Sequence, residues 1–598
     1  MGWFTTIFPV VLEVETTDDL GNALKSVKEQ LRAIPNKGIG YGLLRYLSQD
    51  AQITAQLQAL PQPQISFNYL GQFDQLLNKS SWMQLASESA GHIHGLQNNR
   101  THLLEINSII TEERLQIEWT YSGNIHQSAT IESLAQKFVE TLHKLIAHCS
   151  SPEHGGYTPS DFPLVKLNQQ QLDQLLASLT SNWQNIEDIY PLSGVQQGML
   201  FESLYAPDSG VYFQQWICTL NGQLNVPAFE QAWQQVVKRY SILRTAFVWE
   251  QLTQPLQVVY QQVHVQLQTH DWQKLSAQQQ QQQLEQLLQS QRQQNFQLSV
   301  APLMHLCLIQ LSADSYQFIF NHHHLLLDGW SMPLLIQDLL QFYQAICQRE
   351  TLLLQPTPSY RNYIAWLQQQ NLTQAEQFWR QKLLGFSAPT PLVIDKPSSI
   401  QEQQRSSYSE QKIQLTAKAT AELQTFARQH QLTVNNLVQA TWAILLCRYS
   451  QETDVVFGAT VSARPPAIVG IESMVGIFIN TLPVRVQVSE DTQVLALLKE
   501  LQAQQVESEQ YSYSSLADIQ GLSDLPRGTS LFESIVVFEN YPIDEAVQQN
   551  NYSFSLDNIY AIEQTNYPLT VMVVPGEQLF VKISYDTSRF DDAAITRL

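Results

Sequence analysis

The sequence predicts an α/β fold, in the broader sense an α+β arrangement of mixed sheets and helices, and three observations lead there. From Leu303 to Gln310 and from Tyr316 to Phe320 two apolar runs flank Ser312-Ala313-Asp314-Ser315, the pattern of a β-hairpin. The second run continues into Asn321-His322-His323-His324 and Leu325 to Trp330. Ser331 then stands where it can cap a helix whose Leu334, Leu335, Leu339 and Phe342 recur at helical spacing. Further on, Thr373-Gln374-Ala375-Glu376 reads as a capping box for a helix bearing Phe378, Trp379 and Leu383. A second helix over Val434 to Tyr449 and a strand over Asp454 to Phe457 come next, so strand and helix alternate in both halves.

At 598 residues the chain exceeds what one hydrophobic core supports, and several compact units are expected. Its 44% hydrophobic content is that of a globular protein, while the low 15% of charged residues reflects glutamine on the polar surface. The run Gln278 to Gln283 is followed by Leu284, Leu287 and Leu288 at helical spacing, which makes it the polar face of a surface helix. A net charge of -21 repels a polyanion over most of the surface, so nucleic acid is not an expected partner. Cys149, Cys218, Cys307, Cys347 and Cys447 are far apart, without zinc spacing or a disulfide framework, which fits a reducing cytoplasm. Met1 to Val14 lacks a basic leader and is broken by Pro9. No later stretch offers 18 uncharged apolar residues, so neither export nor membrane insertion is expected.

The chain repeats itself out of phase. Gly2-Trp3-Phe4-Thr5-Thr6-Ile7-Phe8-Pro9-Val10 lies beside Gly476-Ile477-Phe478-Ile479-Asn480-Thr481-Leu482-Pro483-Val484, and both are expected to continue as strands. Phe67-Asn68-Tyr69 answers Phe538-Glu539-Asn540-Tyr541, and Leu115 to Leu134 answers Leu579 to Leu598. The copies lie about 470 residues apart, too long a period for a solenoid, so each is a large domain. The chain is expected to open and close inside a unit, and the second copy to lack the counterpart of the amphipathic segment Ala135 to His148. Between the copies, residues 150–186 have the composition of a linker, with Pro152, Gly155, Gly156, Pro159 and Pro163. A short helix pattern around Leu172, Leu175 and Leu176 lies within it.

The chemistry concentrates at the end of the hairpin. An imidazole at the end of a buried strand, on a loop closed by glycine, can accept a proton from a nucleophile, which makes His324 the candidate base. Asp328, four residues on, reads as architectural, suited to pairing with a buried arginine. Neither spacing nor nearby cysteine supports a metal at the three histidines.

His323, His324, Asp328 and Gly329 resemble the signature of the condensation domains of nonribosomal peptide synthetases: two histidines, three variable residues, then Asp-Gly. The other motifs come in family order: Tyr190 to Ser193 with Gln196 to Leu200, Arg239 with Leu243 to Phe247, Tyr360 to Trp366, Val461 to Pro465, Gly476 to Thr481, and Tyr585 to Phe590. Tyr240 stands where the family often has histidine, and Tyr511 to Gln520 matches only loosely. The front of the chain is similar to the closing part of an epimerisation domain, through Gly2 to Thr5, Pro35 to Gly42 and Phe67 to Gln72. The glycines of Pro35 to Gly42 also suit plain turns.

The resemblance implies a fold like chloramphenicol acetyltransferase, two lobes in a V-shaped pseudo-dimer. It divides the chain into an epimerisation-domain tail at 1–149, a linker at 150–186, and condensation lobes at 187–365 and 366–598. It further implies amide formation between a peptidyl donor and an aminoacyl acceptor, both on the phosphopantetheine arms of upstream and downstream carrier domains, beside an adenylation domain. No cofactor or metal of the chain's own is implied. The site is expected to consist of His324, His323, Asp328 and Gly329, supported by Arg239, Arg244, Trp366 and Asn480, with Arg239 as the partner of Asp328. An epimerisation domain in front, together with Tyr190 to Leu200 and Thr565 to Thr570, implies a donor ending in a D-configured residue. Two alternatives stand beside this reading: an acyltransferase making esters on a free acceptor, and a non-catalytic platform that docks carrier proteins.

Overall fold

The computed structural model describes residues 5–14, 19–72, 91, 99–111, 113–151, 155–179, 183–392, 408–526, 528–540 and 552–598. Gly2, Trp3 and Phe4 of the first copy, Pro152 of the linker and Tyr541 of the second copy lie outside the described residues. The chain forms two compact units, Met1–Gln184 and Asn185–Leu598.

In the first unit, strand Ile65–Gln72 pairs in parallel with Leu104–Thr111, which pairs antiparallel with Arg114–Tyr121. Helix Ser128–Ser150 comes next, and its Ile131 packs with Leu104, Ile106 and Trp119. The second unit repeats this order: Ser534–Phe538 runs parallel to Leu569–Val574, which pairs antiparallel with Phe580–Asp586. The two copies thus share a pairing pattern as well as sequence. Residues 5–14 depart from expectation, being no strand, whereas their counterpart Ile479–Gln487 is one. The reason is a partner: Ile479–Gln487 pairs along its length with Asp454–Ser462, and no strand pairs with 5–14 among the described residues. In Pro35 to Gly42 the turn falls on Asn36, Lys37 and Gly38, all at positive φ, while Gly40 and Gly42 lie inside helix Ile39–Tyr46.

The segment read as a linker is folded. Helix Gln169–Ser178 buries Leu172, Leu175 and Leu176. Asp161 accepts from Lys28 Nζ at 2.6 Å, and Glu29 accepts from the Ser160 amide at 3.2 Å, so this stretch is bonded to the first unit rather than running as a spacer.

The second unit holds two large mixed sheets. One has the order Phe554–Ile562, Phe213–Gly222, Ser315–His323, Met304–Gln310, Leu267–Asp271, antiparallel except for the last pair. Its central strand Ser315–His323 is buried because both faces are covered. Ile319 packs with Ile217, Cys307 and Leu284 and Leu288 of the glutamine-rich helix Ala277–Gln294. On the opposite face Phe318 and Phe320 meet Trp233 of helix Val226–Arg239 at 5.9 and 5.1 Å between ring centroids. Fully burying an aromatic side chain contributes about 1.5–3 kcal/mol, so this strand is a rigid base for the histidine loop at its end.

The other sheet has the order Tyr408–Gln414, Phe580–Asp586, Leu569–Val574, Ser534–Phe538, Asp454–Ser462, Ile479–Gln487. Helices Ala417–Gln429, Val434–Ser450 and Val494–Glu509 cover one face around Trp442, Phe457 and Leu498. Trp379 and Leu383 of helix Leu372–Leu383 cover the other. That last helix starts earlier than the capping box predicts: Asn371, not Thr373, caps it by accepting from the Gln374 amide at 3.1 Å. An Asx cap just upstream outcompetes the threonine because its carboxamide oxygen reaches the exposed amide directly.

Strand Phe554–Ile562 belongs by sequence to the half 366–598, yet it pairs with Phe213–Gly222 in the first sheet. A boundary at 365/366 therefore divides the chain but not the sheets.

Candidate active site

His324 directly succeeds the central strand, and its backbone amide donates to the Tyr212 carbonyl at 2.8 Å. Its Nδ1 lies 2.7 Å from the Leu327 carbonyl oxygen. A carbonyl can only accept, so Nδ1 carries the proton and Nε2 is left with its lone pair. His324 lines a cavity of about 550 Å³ that also touches Gly329, Tyr212 and Glu202 from the first half, and Asn480, Glu539 and Tyr567 from the second.

The neighbouring histidines differ. His323 is 1% exposed and does not line the cavity. Its Nδ1 accepts from the Leu325 amide at 3.2 Å, so Nε2 bears the proton, directed at Ser203 Oγ 3.3 Å away; Ser203 in turn donates to the Met199 carbonyl. Burial, aided by the neighbouring His324, pushes the His323 pKa down to about 3, which keeps the ring neutral. His322 is likewise buried, stacked on Phe320 at 4.8 Å, and pushed down to about 3 for the same reason. Of the three rings, His324 alone faces the cavity.

Asp328 is 3% exposed and lies outside the cavity lining. Its Oδ1 accepts from the Ser331 amide at 3.0 Å and from Arg464 Nη2 at 3.3 Å, and its Oδ2 accepts from the Phe478 amide at 2.9 Å. Its own amide donates to the Gly476 carbonyl. The expected partner, Arg239, is instead paired with Asp338 at 2.7 Å, and Tyr240 donates to the same carboxylate at 2.6 Å. Arg239 ends helix Val226–Arg239 and faces helix Ser331–Gln348, whereas Arg464 lies just past strand Asp454–Ser462 and arrives beside Phe478, its guanidinium 4.2 Å from that ring's centroid. Burial lowers the Arg464 pKa and Asp328 opposes that shift. Ser331 is not the expected cap; it is the first residue of its helix, and the Asp328 carboxylate takes the exposed amide. Gly476 is fixed by space, since a Cβ there would run into the Tyr360 ring.

The supporting residues divide in the same way. Asn480 lines the cavity, with Nδ2 donating to the Ser512 and Ser514 carbonyls at 2.7 and 2.6 Å. Arg244 is buried away from it, bonded to Glu187 at 2.6 Å and to the Val237 carbonyl. Trp366 stacks on Tyr363 at 6.0 Å and stands edge-on to Tyr513, and does not line the cavity. Sequence reading missed Tyr212, Ser203, Glu202, Glu539 and Glu563, and it read Asn566 only as part of the stretch Thr565 to Thr570, not as a residue of the site. For Glu539 a signal existed: Ile535 and Val537 alternate along one face of strand Ser534–Phe538, Glu539 continues that alternation one residue past its end, and all three line the cavity. Burial and the nearby Glu563 push the Glu539 pKa up to about 8, Lys582 acting against them.

Among the described residues no cluster of histidine, cysteine, aspartate or glutamate suits a metal, and no helix is long and apolar enough to cross a membrane.

The family model described as "Condensation domain" matches residues 1–167 and 186–598. A linear gramicidin synthase component of Brevibacillus parabrevis is 48% identical over 598 residues, covering 100% of this chain and 8% of that protein. Another component of the same synthase is 44% identical over 607 residues, covering 100% of this chain and 12% of that protein. The chain thus spans about a tenth of the length of these relatives. A variant of the starter condensation domain of rhizomide synthetase superposes with a TM-score of 0.59 at 20% identity, covering 70% of this chain and 94% of that one, which shows the chloramphenicol acetyltransferase-like fold. With a histidine motif standing at a cavity between two mixed sheets, and with both repeat copies inside the family match, the chain belongs to the condensation domain family of nonribosomal peptide synthetases.

Proposed function

We propose that residues 187–598 join two carrier-bound acyl groups through an amide bond, with His324 as the reacting protein group. The observation that carries this reading is the tautomer of His324: the Leu327 carbonyl holds the Nδ1 proton and leaves the Nε2 lone pair as the ring's only basic atom. The α-amine of the acceptor thioester attacks the carbonyl of the donor thioester. A C–N bond forms, the C–S bond breaks, the surplus amine proton passes to Nε2, and the thiolate leaves to be protonated. Holding both thioesters in one cavity replaces a bimolecular encounter by an oriented one. His323, Asp328 and Gly329 serve this centre as its frame, together with Arg464.

The substrates arrive on 4'-phosphopantetheine arms of upstream and downstream peptidyl carrier domains, with an adenylation domain adjacent, in the cytoplasm. The peptide-synthase names of the relatives support this setting. Residues 1–149 are the C-terminal part of an epimerisation domain, 150–186 connect it onward, and the donor of the condensation domain ends in a D-configured residue.

The test uses D- and L-phenylalanyl carrier domains as donors and a leucyl carrier domain as acceptor, with dipeptide read by mass spectrometry. The D-donor is expected to react faster, and His324→Ala to form amide about 10²–10⁴-fold more slowly. Undiminished product from His324→Ala would overturn the role of His324, absence of product from the wild-type chain would favour a non-catalytic docking platform, and equal rates for the two donors would overturn the stereochemical claim.

A further inference from the structure

We infer that Tyr212 is a positioning residue for His324, acting through a backbone conformation that its own side chain disfavours. Tyr212 sits at φ 65, in the left-handed region that a bulky side chain rarely adopts and that glycine occupies without strain. Strain of this kind persists where surrounding contacts over-determine it, and it clusters at functional sites. Tyr212 immediately precedes Phe213, the register partner of His323, so it stands opposite His324 just beyond the end of the ladder.

In this conformation three groups of one residue are engaged. The carbonyl accepts the His324 amide at 2.8 Å, and the amide donates to the Gln564 carbonyl at 3.2 Å. The phenol donates to Asn566 Oδ1 at 2.9 Å. The ring faces the cavity, its centroid 6.2 Å from that of the imidazole. Burial raises the phenol's pKa well above its ordinary value, so it remains a donor at every working pH. Gln564 and Asn566 lie in the connection between strand Phe554–Ile562 of the first sheet and Leu569–Val574 of the second. Tyr212 therefore references the height of His324 to the point where the chain passes between the sheets. The inference rests on His324 as the reacting group and adds a residue that acts through it.

The test compares Tyr212→Phe, Asn566→Ala and the double variant in the full 598-residue chain, with the D-phenylalanyl donor and leucyl acceptor. Each single variant is expected to lower kcat about tenfold while leaving KM within about twofold, because one positioning hydrogen bond is lost and substrate binding is not. The double variant should be no slower than the worse single, since both remove the same bond. Amide hydrogen exchange at His324 should speed up in both, while exchange at Phe318 and Ile319 stays unchanged. Wild-type kcat in either variant, a loss confined to KM, or unaltered exchange at His324 would each overturn the inference. Exchange needs no turnover: if the wild-type chain formed no amide, the proposed reaction would fall while the exchange comparison still decided the role of Tyr212.

Discussion

Asp328 and Arg464 meet at 3.3 Å across 136 positions of sequence, and through them the loop carrying His324 is fastened to the strand connection at Gly476 and Phe478. A buried carboxylate left without its cation is costly. Asp328→Ala or Arg464→Ala is therefore expected to lower unfolding free energy by about 3–5 kcal/mol, read from urea denaturation. An unchanged midpoint in either would show that the pair holds nothing together.

His324 behaves differently, because among the described residues its backbone amide and Nδ1 are held by hydrogen bonds to carbonyls and its Nε2 faces no such partner. His324→Ala is expected to reduce amide formation by about 10²–10⁴-fold with the urea midpoint unmoved. A variant that loses stability and activity in step would contradict this division.

His322 and His323 make acid stability a second readout. Buried neutral, they take up a proton in the fold only near pH 3, whereas in the unfolded chain they do so near pH 6.5. Between those values the unfolded state binds more protons, so stability falls as pH drops from about 6.5 toward 3. Urea midpoints measured at pH 7 and pH 5 should show the loss, and His322→Leu should make it smaller. An identical pH slope in that variant would mean that His322 is not the group responsible.

Glu539 has the opposite sign. Its folded pKa is raised to about 8, so the fold holds a proton that the unfolded chain releases near its ordinary value, and stability falls as pH rises from about 4.5 through 8. Glu539→Gln should stabilise the protein at pH 8.5, change little at pH 4.5, and flatten the profile between. Equal profiles for variant and wild type would locate the buried charge elsewhere.

Much of this was legible in sequence for a physical reason. The hairpin leading into the histidines is a local pattern, and apolar runs around a polar turn announce it without any tertiary knowledge. The helix Val434–Ser450 and the repeat were legible for the same reason. What failed was pairing at a distance. Arg239 and Arg464 are both arginines at the ends of regular elements, and nothing local says which reaches Asp328; only the packing of Arg464 over Phe478 decides it. Capping failed on a finer scale, where Asn371 and Thr373 compete within one turn. Tyr212 was illegible because a left-handed backbone at an aromatic residue arises from its surroundings and not from its own preference.

Strand Phe554–Ile562 bears on how such chains can be recombined and made. Exchanging halves between two synthases at residue 365 would give each hybrid a sheet whose edge strand comes from the other parent, with the bulge between Asp557 and Tyr560 meeting an unfamiliar neighbour. During synthesis the edge of Phe213–Gly222 must also wait for more than 300 further residues to leave the ribosome before it is covered. An uncovered edge is a template for wrong pairing and distant pairings close slowly, so this domain is expected to need protection while it is being made, and a crossover before Asn185 is expected to be better tolerated than one at residue 365.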